Sequence, residues 1–232
     1  MAEAAARLWA EASGAAVSAR GIFRIALSGG RTPQALFRFL AEKYSNQLPW
    51  EKTELYWCDE RSVPQDHEQS NYRLAREALL DRVAIPSANV HPVPTGSNDP
   101  KRDAAAYETV LRQAFTDQAW PALDLALLGL GADGHTASLF PGEAALLERD
   151  LWVSAARAPV GVPERITLTV PALNGSRLVV FLVAGTDKAQ ILRTVLTDRG
   201  RPPLPAQMIK PSSGRVLFLA DQDAAARIKH RK

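Results

Sequence analysis

The sequence contains few of the residues from which disulfides and common metal sites are built. Cys58 is its single cysteine, so no disulfide can form within the chain, and a reducing compartment is its natural setting. One cysteine and four scattered histidines do not suffice for a metal site of the Cys or Cys/His type. We therefore expect an intracellular protein without such a site.

Long apolar segments are also missing. No stretch approaches the ~18–20 apolar residues of a membrane-spanning helix, and Glu3, Arg7 and Glu11 interrupt the apolar core that a signal peptide would need. These features predict a cytoplasmic protein that does not interact with a membrane.

Charge of one sign is not concentrated in the chain. The 28 basic and 25 acidic residues leave a net charge of +3, and the one dense basic cluster is the C-terminal Arg227–Lys232. We interpret that cluster as a solvated helix end rather than a polyanion site, because nucleic-acid-binding proteins typically carry a basic stripe or face. We expect no nucleic-acid partner, and the small positive excess suits a small anionic substrate.

Apolar segments of strand length alternate with amphipathic segments of helix length. The predicted strands are Ile22–Ser28, Glu54–Cys58, Asn89–Val93, Leu123–Leu130, Leu151–Ser154, Ile166–Val170, Leu178–Ala184 and Val216–Leu219. One predicted helix begins at about Pro33, and another lies at the C-terminus. The other predicted helices are Asn71–Asp81, Pro100–Asp117 and Asp187–Thr197. This alternation predicts an α/β fold with a mostly parallel sheet and helices on both faces. Without a repeat or a linker, residues 1–232 are expected to form a single domain.

Ligands of parallel sheets bind beyond the carboxyl ends of the strands, where this chain has three polar segments. Ser28–Pro33 contains two glycines that allow backbone N–H groups to face a phosphate at a helix N-terminus, and Thr32 is a candidate cap. The alternative is an ordinary turn. In Asp59–Arg61, Arg61 offers a planar donor for phosphate and Asp59 an acceptor for a hydroxyl or a histidine, unless the segment is an exposed charged turn.

The third segment, Gly129–His135, matches the G-x-G-x-x-G pattern of dinucleotide-binding loops. The match comes late in the chain, Asp133 would repel a pyrophosphate, and no acidic residue follows about 20 positions later. Arg157 leaves an NADP-type site open as an alternative. His135 favours acid–base chemistry instead, since histidine exchanges protons near neutral pH. Ser138 lies outside a G-x-S-x-G elbow and Cys58 lies within a strand, so neither is predicted to be a nucleophile.

Five motifs, taken together and in order, resemble those of the 6-phosphogluconolactonases. They are Ser28-Gly-Gly-x-Thr-Pro33, Asp59-Glu-Arg61 with Ser70-Asn71, Gly129-x-Gly-x-Asp-Gly-His-Thr-Ala-Ser-Leu-Phe-Pro141, Arg165-Ile-Thr-Leu-Thr169 and Ala184-Gly-x-x-Lys188. The resemblance covers about residues 20–220. It implies a three-layer α/β/α modified Rossmann-like fold, shared with glucosamine-6-phosphate deaminases and ribose-5-phosphate isomerases. It also implies hydrolysis of 6-phospho-D-glucono-1,5-lactone without a metal or organic cofactor.

The resemblance assigns roles to residues that match the family motifs. His135 is implied as the general base, with Asp133 or Asp59 orienting it or the sugar hydroxyls. The residues expected to bind the substrate and its phosphate are Ser28, Gly29, Gly30, Arg31, Thr32, Arg61, Asn71, Arg165 and Lys188. Arg31 departs from the family, which usually has Ser or Thr there, so its contact with phosphate stays open.

Two other functions compete with lactone hydrolysis. A glucosamine-6-phosphate deaminase would follow its Asp-Gly-His with Ile-Ala-Phe-Asn-Glu-Pro, whereas this chain has Thr136–Pro141 and no acid before Glu143. A phosphosugar sensor would bind its ligand without catalysing a reaction. Such a protein would be expected to lack His135 or Asp133, and this chain contains both. We expect a monomer or weak homodimer acting on a phosphosugar lactone.

Overall fold

A computed structural model of the chain describes residues 1–198, 200 and 202–228, which form two β-sheets and the helices around them. Within these residues the strands are β1 (Phe23–Leu27), β2 (Thr53–Trp57), β3 (Asp59–Arg61), β4 (Leu125–Gly129), β5 (Val153–Arg157), β6 (Glu164–Leu168), β7 (Leu178–Val183) and β8 (Arg215–Ala220). The helices are α1 (Ala2–Arg20), α2 (Arg31–Lys43), α3 (Asn71–Ala78), α4 (Pro100–Ala114), α5 (Val170–Asn174), α6 (Ala189–Thr197), α7 (Pro205–Met208) and α8 (Gln222–Ala225). Residues 229–232 of the predicted basic helix end lie outside the described residues.

The larger sheet is parallel and has the strand order β2-β1-β4-β7-β8. All six residues of β7 are buried, as are residues 125–128 of β4, because aliphatic side chains on both faces lie under other elements. Helix α2 packs against α1 and contacts β4 and β7, whereas α8 packs against α6 and β8. The predicted α/β fold with a mostly parallel sheet is confirmed. None of the helices within the described residues is long and apolar enough to cross a membrane.

The smaller sheet is antiparallel, with the order β3-β6-β5, and continues directly from the larger one. Cys58 makes the connection: its N–H donates to the Leu27 carbonyl at 2.7 Å, and its own carbonyl accepts from the Leu168 N–H at 2.8 Å. The chain thus passes from β2 into β3 at the carboxyl edge of the parallel sheet. Ligands of α/β proteins bind at this edge.

Several boundaries differ from the sequence predictions. The segment Asp59–Arg61 is a short strand rather than a loop, because β6 pairs with it. Residues 89–93, predicted as a strand, contribute a single bridge between Val90 and Leu55 after a 3₁₀ turn. Helix α2 begins at Arg31, so Pro33 is not its first residue, and Thr32 does not cap it because Gly30 occupies the cap position. Helix α1 lies in an Ala-rich segment for which no structure was predicted.

Candidate active site

The three polar strand-end segments meet in one cavity of about 280 Å³ at the carboxyl edge of the parallel sheet. Its lining consists of Ser28, Gly29, Asp59, Arg61, Asn71, Gly129, Leu130, Gly131, Ala132, His135, Ala137 and Lys188. Strands β1, β3, β4 and β7 each deliver part of this lining through the residues that end or follow them. Seven of the sequence-predicted site residues therefore lie around a common space.

The other predicted site residues lie outside that lining. Asp133 contacts His135 and Arg165 pairs with Arg61, which are both residues of the lining, and Gly30 forms the N-cap of α2. Arg31 and Thr32 line a second cavity of about 530 Å³, together with Ala184 and Asp187. Arg31, the residue that departs from the family motif, therefore lines a different cavity from His135.

His135 is held by Asp133 and by its own backbone. Its Nδ1 atom lies 2.5 Å from Oδ1 of Asp133, and its backbone N–H donates to the same oxygen at 3.1 Å. The ring packs on Phe140 with a centroid distance of 4.5 Å. A Cβ atom at residue 131 would lie 2.0 Å from Nδ1, so only glycine allows the ring to fold over this turn. With Nδ1 facing a carboxylate, Nε2 is the nitrogen available as a base.

The Asp133 carboxylate is a charged partner for that ring. Burial disfavours its ionisation, but the His135 backbone N–H, the charge of the ring and the ring's hydrogen bond outweigh burial and hold the pKa of Asp133 below its ordinary value. Asp133 therefore remains an anion across the neutral range. This is the arrangement by which a carboxylate fixes one tautomer of a histidine.

Asp59, the second candidate for orienting His135, contacts Ser138 instead. The Ser138 hydroxyl donates to Oδ2 of Asp59 at 2.7 Å, and both residues are buried. The Ser138 backbone N–H donates to Oγ1 of Thr167, the residue opposite Asp59 in the β3–β6 pair. Asp59 also lines the cavity, so the same residue both accepts from Ser138 and borders the space for a ligand.

Glu60 points away from Asp59 and Arg61 and joins β3 to α3. Its Oε1 accepts from the N–H groups of Arg61 and Asn71, each at 2.7 Å, and its Oε2 accepts from the Tyr72 N–H at 2.8 Å and the Ser70 hydroxyl at 3.1 Å. Burial raises the pKa of Glu60, and these backbone hydrogen bonds oppose the rise. The buried carboxylate thus ends up with four donors, which compensate its loss of water.

Asn71 is fixed by a close approach to the glycine loop. Its Nδ2 donates to the Asp59 carbonyl at 2.9 Å, and a Cβ atom on Gly29 would lie 1.8 Å from its Oδ1. Glycine at position 29 is therefore a condition for this amide position. Within the described residues, the buried Oδ1 of Asn71 and the hydroxyl of Ser28 have no hydrogen-bond partner.

Arg61 and Arg165 face each other across the β3–β6 pair. Burial and the neighbouring Arg61 guanidinium lower the pKa of Arg165, although Asp59 and Glu60 act in the opposite direction. Arg61 donates through Nη1 to the Gln69 carbonyl. Among the described residues, neither guanidinium forms an ion pair, and neither buried Nε atom has a hydrogen-bond partner. Two adjacent cations without an anion form a natural receptor for one.

Lys188 completes the basic side of the cavity. It stands at the N-cap position of α6, and its Nζ lies 3.3 Å from Oδ2 of Asp187. Arg61 and Lys188 thus line the same cavity, and Arg165 adds a third cation as the neighbour of Arg61 in the β3–β6 pair. In residues 1–198, 200 and 202–228, no group of three or more His, Cys, Asp or Glu side chains is placed to hold a metal ion.

Sequence reasoning missed Glu60, Thr167 and the positional role of Ser138. The alternation of a strand over Asp59–Arg61 could have placed Glu60 on the opposite face from its neighbours. Nothing local could have joined Ser138 to Asp59, because 79 residues separate them along the chain.

Comparisons with known proteins agree with one another. A family model described as glucosamine-6-phosphate isomerases/6-phosphogluconolactonase matches residues 1–218. The chain is 46% identical over 217 residues to a 6-phosphogluconolactonase of Synechocystis sp., and this alignment covers 92% of this chain and 88% of that protein. The human 6-phosphogluconolactonase is 40% identical over 211 residues, with 89% and 81% covered.

Solved structures give the same result. The 6-phosphogluconolactonase of Trypanosoma brucei superposes with a TM-score of 0.89 at 32% identity, covering 98% of this chain and 94% of that one. A monomeric glucosamine-6-phosphate deaminase superposes with a TM-score of 0.79 at 19% identity, covering 97% and 95%. The second likeness concerns the fold alone.

Proposed function

The chain belongs to the glucosamine-6-phosphate isomerase/6-phosphogluconolactonase family, and we propose that it hydrolyses 6-phospho-D-glucono-1,5-lactone to 6-phospho-D-gluconate, the second step of the oxidative branch of the pentose phosphate pathway. The relatives named 6-phosphogluconolactonase match it over most of their length as well as most of its own. The reaction opens a cyclic ester with water, so the enzyme is a carboxylic ester hydrolase.

One observation carries the assignment of roles: a carboxylate-bound histidine shares its cavity with two cations. His135, with Asp133 at its Nδ1 atom, lines the same cavity as Arg61 and Lys188. Arg165 adds its charge beside Arg61. A phosphosugar lactone needs both features, since its phosphate must be anchored while its carbonyl meets a base.

The mechanism begins at Nε2 of His135. This nitrogen takes a proton from a water molecule while the water oxygen bonds to the lactone carbonyl carbon. The resulting tetrahedral oxyanion is stabilised by backbone N–H groups of the turn residues that line the cavity, such as Ala132. The N–H groups of Gly131 and Gly134 are not counted, because they already donate within the turn. Collapse of this intermediate breaks the bond between the carbonyl carbon and the ring oxygen. The ring oxygen takes the proton held on Nε2 of His135 and becomes a hydroxyl group, which restores the base. A general base contributes ~10²–10⁴-fold and one oxyanion donor ~10²–10³-fold, and a δ-lactone is already a reactive ester.

The substrate is oriented by the remaining residues of the site. Arg61, Arg165 and Lys188 bind the phosphate, and the N–H groups of Ser28 and Gly29 add donors beside the start of α2. Asp59 and Asn71 face the cavity with polar atoms suited to sugar hydroxyls. Arg31 and Thr32 line the second cavity, and we assign them no phosphate contact.

Deaminase activity finds less support in this chain. Among the described residues that line the cavity, Asp59 is the carboxylic acid, and its Oδ2 is engaged by Ser138. Glu143, the first acid after His135, does not belong to this lining. Among the described residues of this lining, therefore, no further carboxylic acid is available for the ring opening and amine transfer that a deaminase would catalyse.

A coupled assay tests the proposal. Purified protein is given freshly prepared 6-phosphogluconolactone, 6-phosphogluconate is detected with its dehydrogenase, and the spontaneous opening of the lactone is subtracted. We expect a rate proportional to enzyme concentration. Binding of 6-phosphogluconate without any acceleration would indicate a phosphosugar sensor and overturn the proposal. A cytoplasmic location, the absence of a nucleic-acid partner, a monomeric or weakly dimeric state and the single domain stay predictions.

A further inference from the structure

The β3–β6 pair presents two successive rungs to the active site. Asp59 lies opposite Thr167, and two residues further along β3, Arg61 lies opposite Arg165. Because side chains alternate along a strand, Asp59 and Arg61 project from the same face. One ribbon therefore carries both the pair of arginines and a polar rung next to it.

Ser138 connects that polar rung to the segment of His135. Its hydroxyl donates to Oδ2 of Asp59 at 2.7 Å, and its N–H donates to Oγ1 of Thr167 at 3.2 Å. Ser138 is 1% exposed, so both hydrogen bonds are shielded from water. One residue is thus bound to both strands of the ribbon.

The short segment between His135 and Ser138 is itself held in place. The Thr136 hydroxyl donates to the Gly129 carbonyl at 2.9 Å, and the Leu139 N–H donates to the Thr136 carbonyl at 2.9 Å. Ala137 adopts a left-handed conformation with φ 47°, which residues with a side chain rarely adopt. Such a constrained turn transmits the position of Ser138 to His135.

From these contacts we infer that Ser138 is a positioning residue: by binding the Asp59–Thr167 rung, it sets the location of His135 relative to the Arg61–Arg165 rung. The inference rests on the proposed function. It makes Ser138 a determinant of specificity, because the distance between base and arginines must match that between the lactone carbonyl and the terminal phosphate. A displacement of about 1 Å between reacting groups can cost on the order of 10²-fold in rate.

The test compares Ser138→Ala with Ser13→Ala, which removes another buried serine hydroxyl, in α1. We expect Ser138→Ala to lower kcat on the phosphorylated lactone by roughly 10–10²-fold, with the Kd for 6-phosphogluconate within about threefold because the arginine rung is intact. Ser13→Ala retains wild-type kcat. Thr167→Val, which removes the other hydrogen bond almost isosterically, gives a loss of the same kind and replaces Ser138→Ala if that variant does not fold.

A double variant separates positioning from general loosening of the fold. In an Arg165→Ala background the phosphate anchor is weakened, so Ser138→Ala is expected to cost less than about threefold further, since coupled residues are non-additive. If the reductions in kcat caused by Arg165→Ala and Ser138→Ala multiply in the double variant, the inference is overturned, and the lactonase assignment stays intact. The same holds if Ser138→Ala has the kcat of Ser13→Ala. A wild-type protein without lactonase activity would overturn both.

Discussion

Arg61 and Arg165 lie directly opposite each other in neighbouring antiparallel strands, and Arg165 is buried. Like charges in this position destabilise a sheet by a few tenths to about 1 kcal/mol, and burial adds to the cost. Natural proteins retain such a cost mainly where function uses it. A phosphate placed between the two guanidinium groups would convert the repulsion into binding energy.

Replacing Arg165 is therefore expected to weaken binding of 6-phosphogluconate without lowering the stability of the fold. In Arg165→Met, the free energy of unfolding should equal the wild-type value or exceed it by up to ~1 kcal/mol, while 6-phosphogluconate binds roughly 10²-fold more weakly. Denaturant titration and calorimetry measure the two quantities. Arg157→Met is the matched control, since Arg157 is a 72% exposed arginine in the same sheet. An Arg165→Met protein that is less stable but binds normally would contradict this role.

Asp133 is expected to make the stability of the fold depend on pH. Its lowered pKa means that the folded protein keeps this carboxylate ionised at a lower pH than the unfolded chain does, so the stability that it contributes is lost as the pH falls through its pKa in the folded state. In Asp133→Asn that contribution is absent, so the free energy of unfolding should fall less than in the wild type when the pH is lowered through the acid range. At neutral pH kcat should fall, because the amide no longer fixes one tautomer of His135, but by less than the ~10⁴-fold expected when a fully buried orienting aspartate is replaced.

Asp117→Asn is the control, because Asp117 is exposed after α4 and asparagine tolerates its left-handed φ of 59°. An Asp133→Asn protein with the wild-type kcat and the wild-type dependence of stability on pH would show that Asp133 shapes the turn without acting on the ring.

Glu60 is expected to act through the residues that it holds. In Glu60→Gln, one of the two acceptor oxygens becomes an NH₂ group that faces former donors, which should lower the free energy of unfolding by ~1–3 kcal/mol. KM should rise because Arg61 and Asn71 lose their common anchor. Glu68→Gln, at an exposed glutamate of the preceding loop, should leave both quantities unchanged. Wild-type stability in Glu60→Gln would contradict the anchoring role.

The sequence predicts the parts of this fold whose cause is local. The aliphatic segment Leu178–Val183 can be little else than a buried strand, and its bounds agree with the prediction to within a residue. Asp59–Arg61 could not be recognised, because three consecutive charged residues disfavour a strand, and pairing with a strand about 100 residues later decides its conformation. Helix α1 escaped prediction because its alanines give little contrast between faces, although Trp9 is fully buried.

The candidate site also has features that the sequence predicts and features that depend on long-range contacts. The rule that ligands bind at strand ends identified Ser28–Pro33, Asp59–Arg61 and Gly129–His135 as neighbours. That rule does not say where each side chain points. The contact of Asp133 with His135, the contact of Asp59 with Ser138 and the turn of Arg31 toward the second cavity depend on backbone geometry and long-range pairing.

The most direct measurement is the hydrolysis rate of 6-phosphogluconolactone by His135→Ala, corrected for spontaneous opening, with 6-phosphogluconate binding measured on the same preparation. If Nε2 of His135 is the base, kcat falls by ~10²–10⁴-fold, and the Kd stays within about threefold of wild type because the cations that bind phosphate are unchanged. A folded His135→Ala protein that hydrolyses the lactone at the wild-type rate would contradict the account.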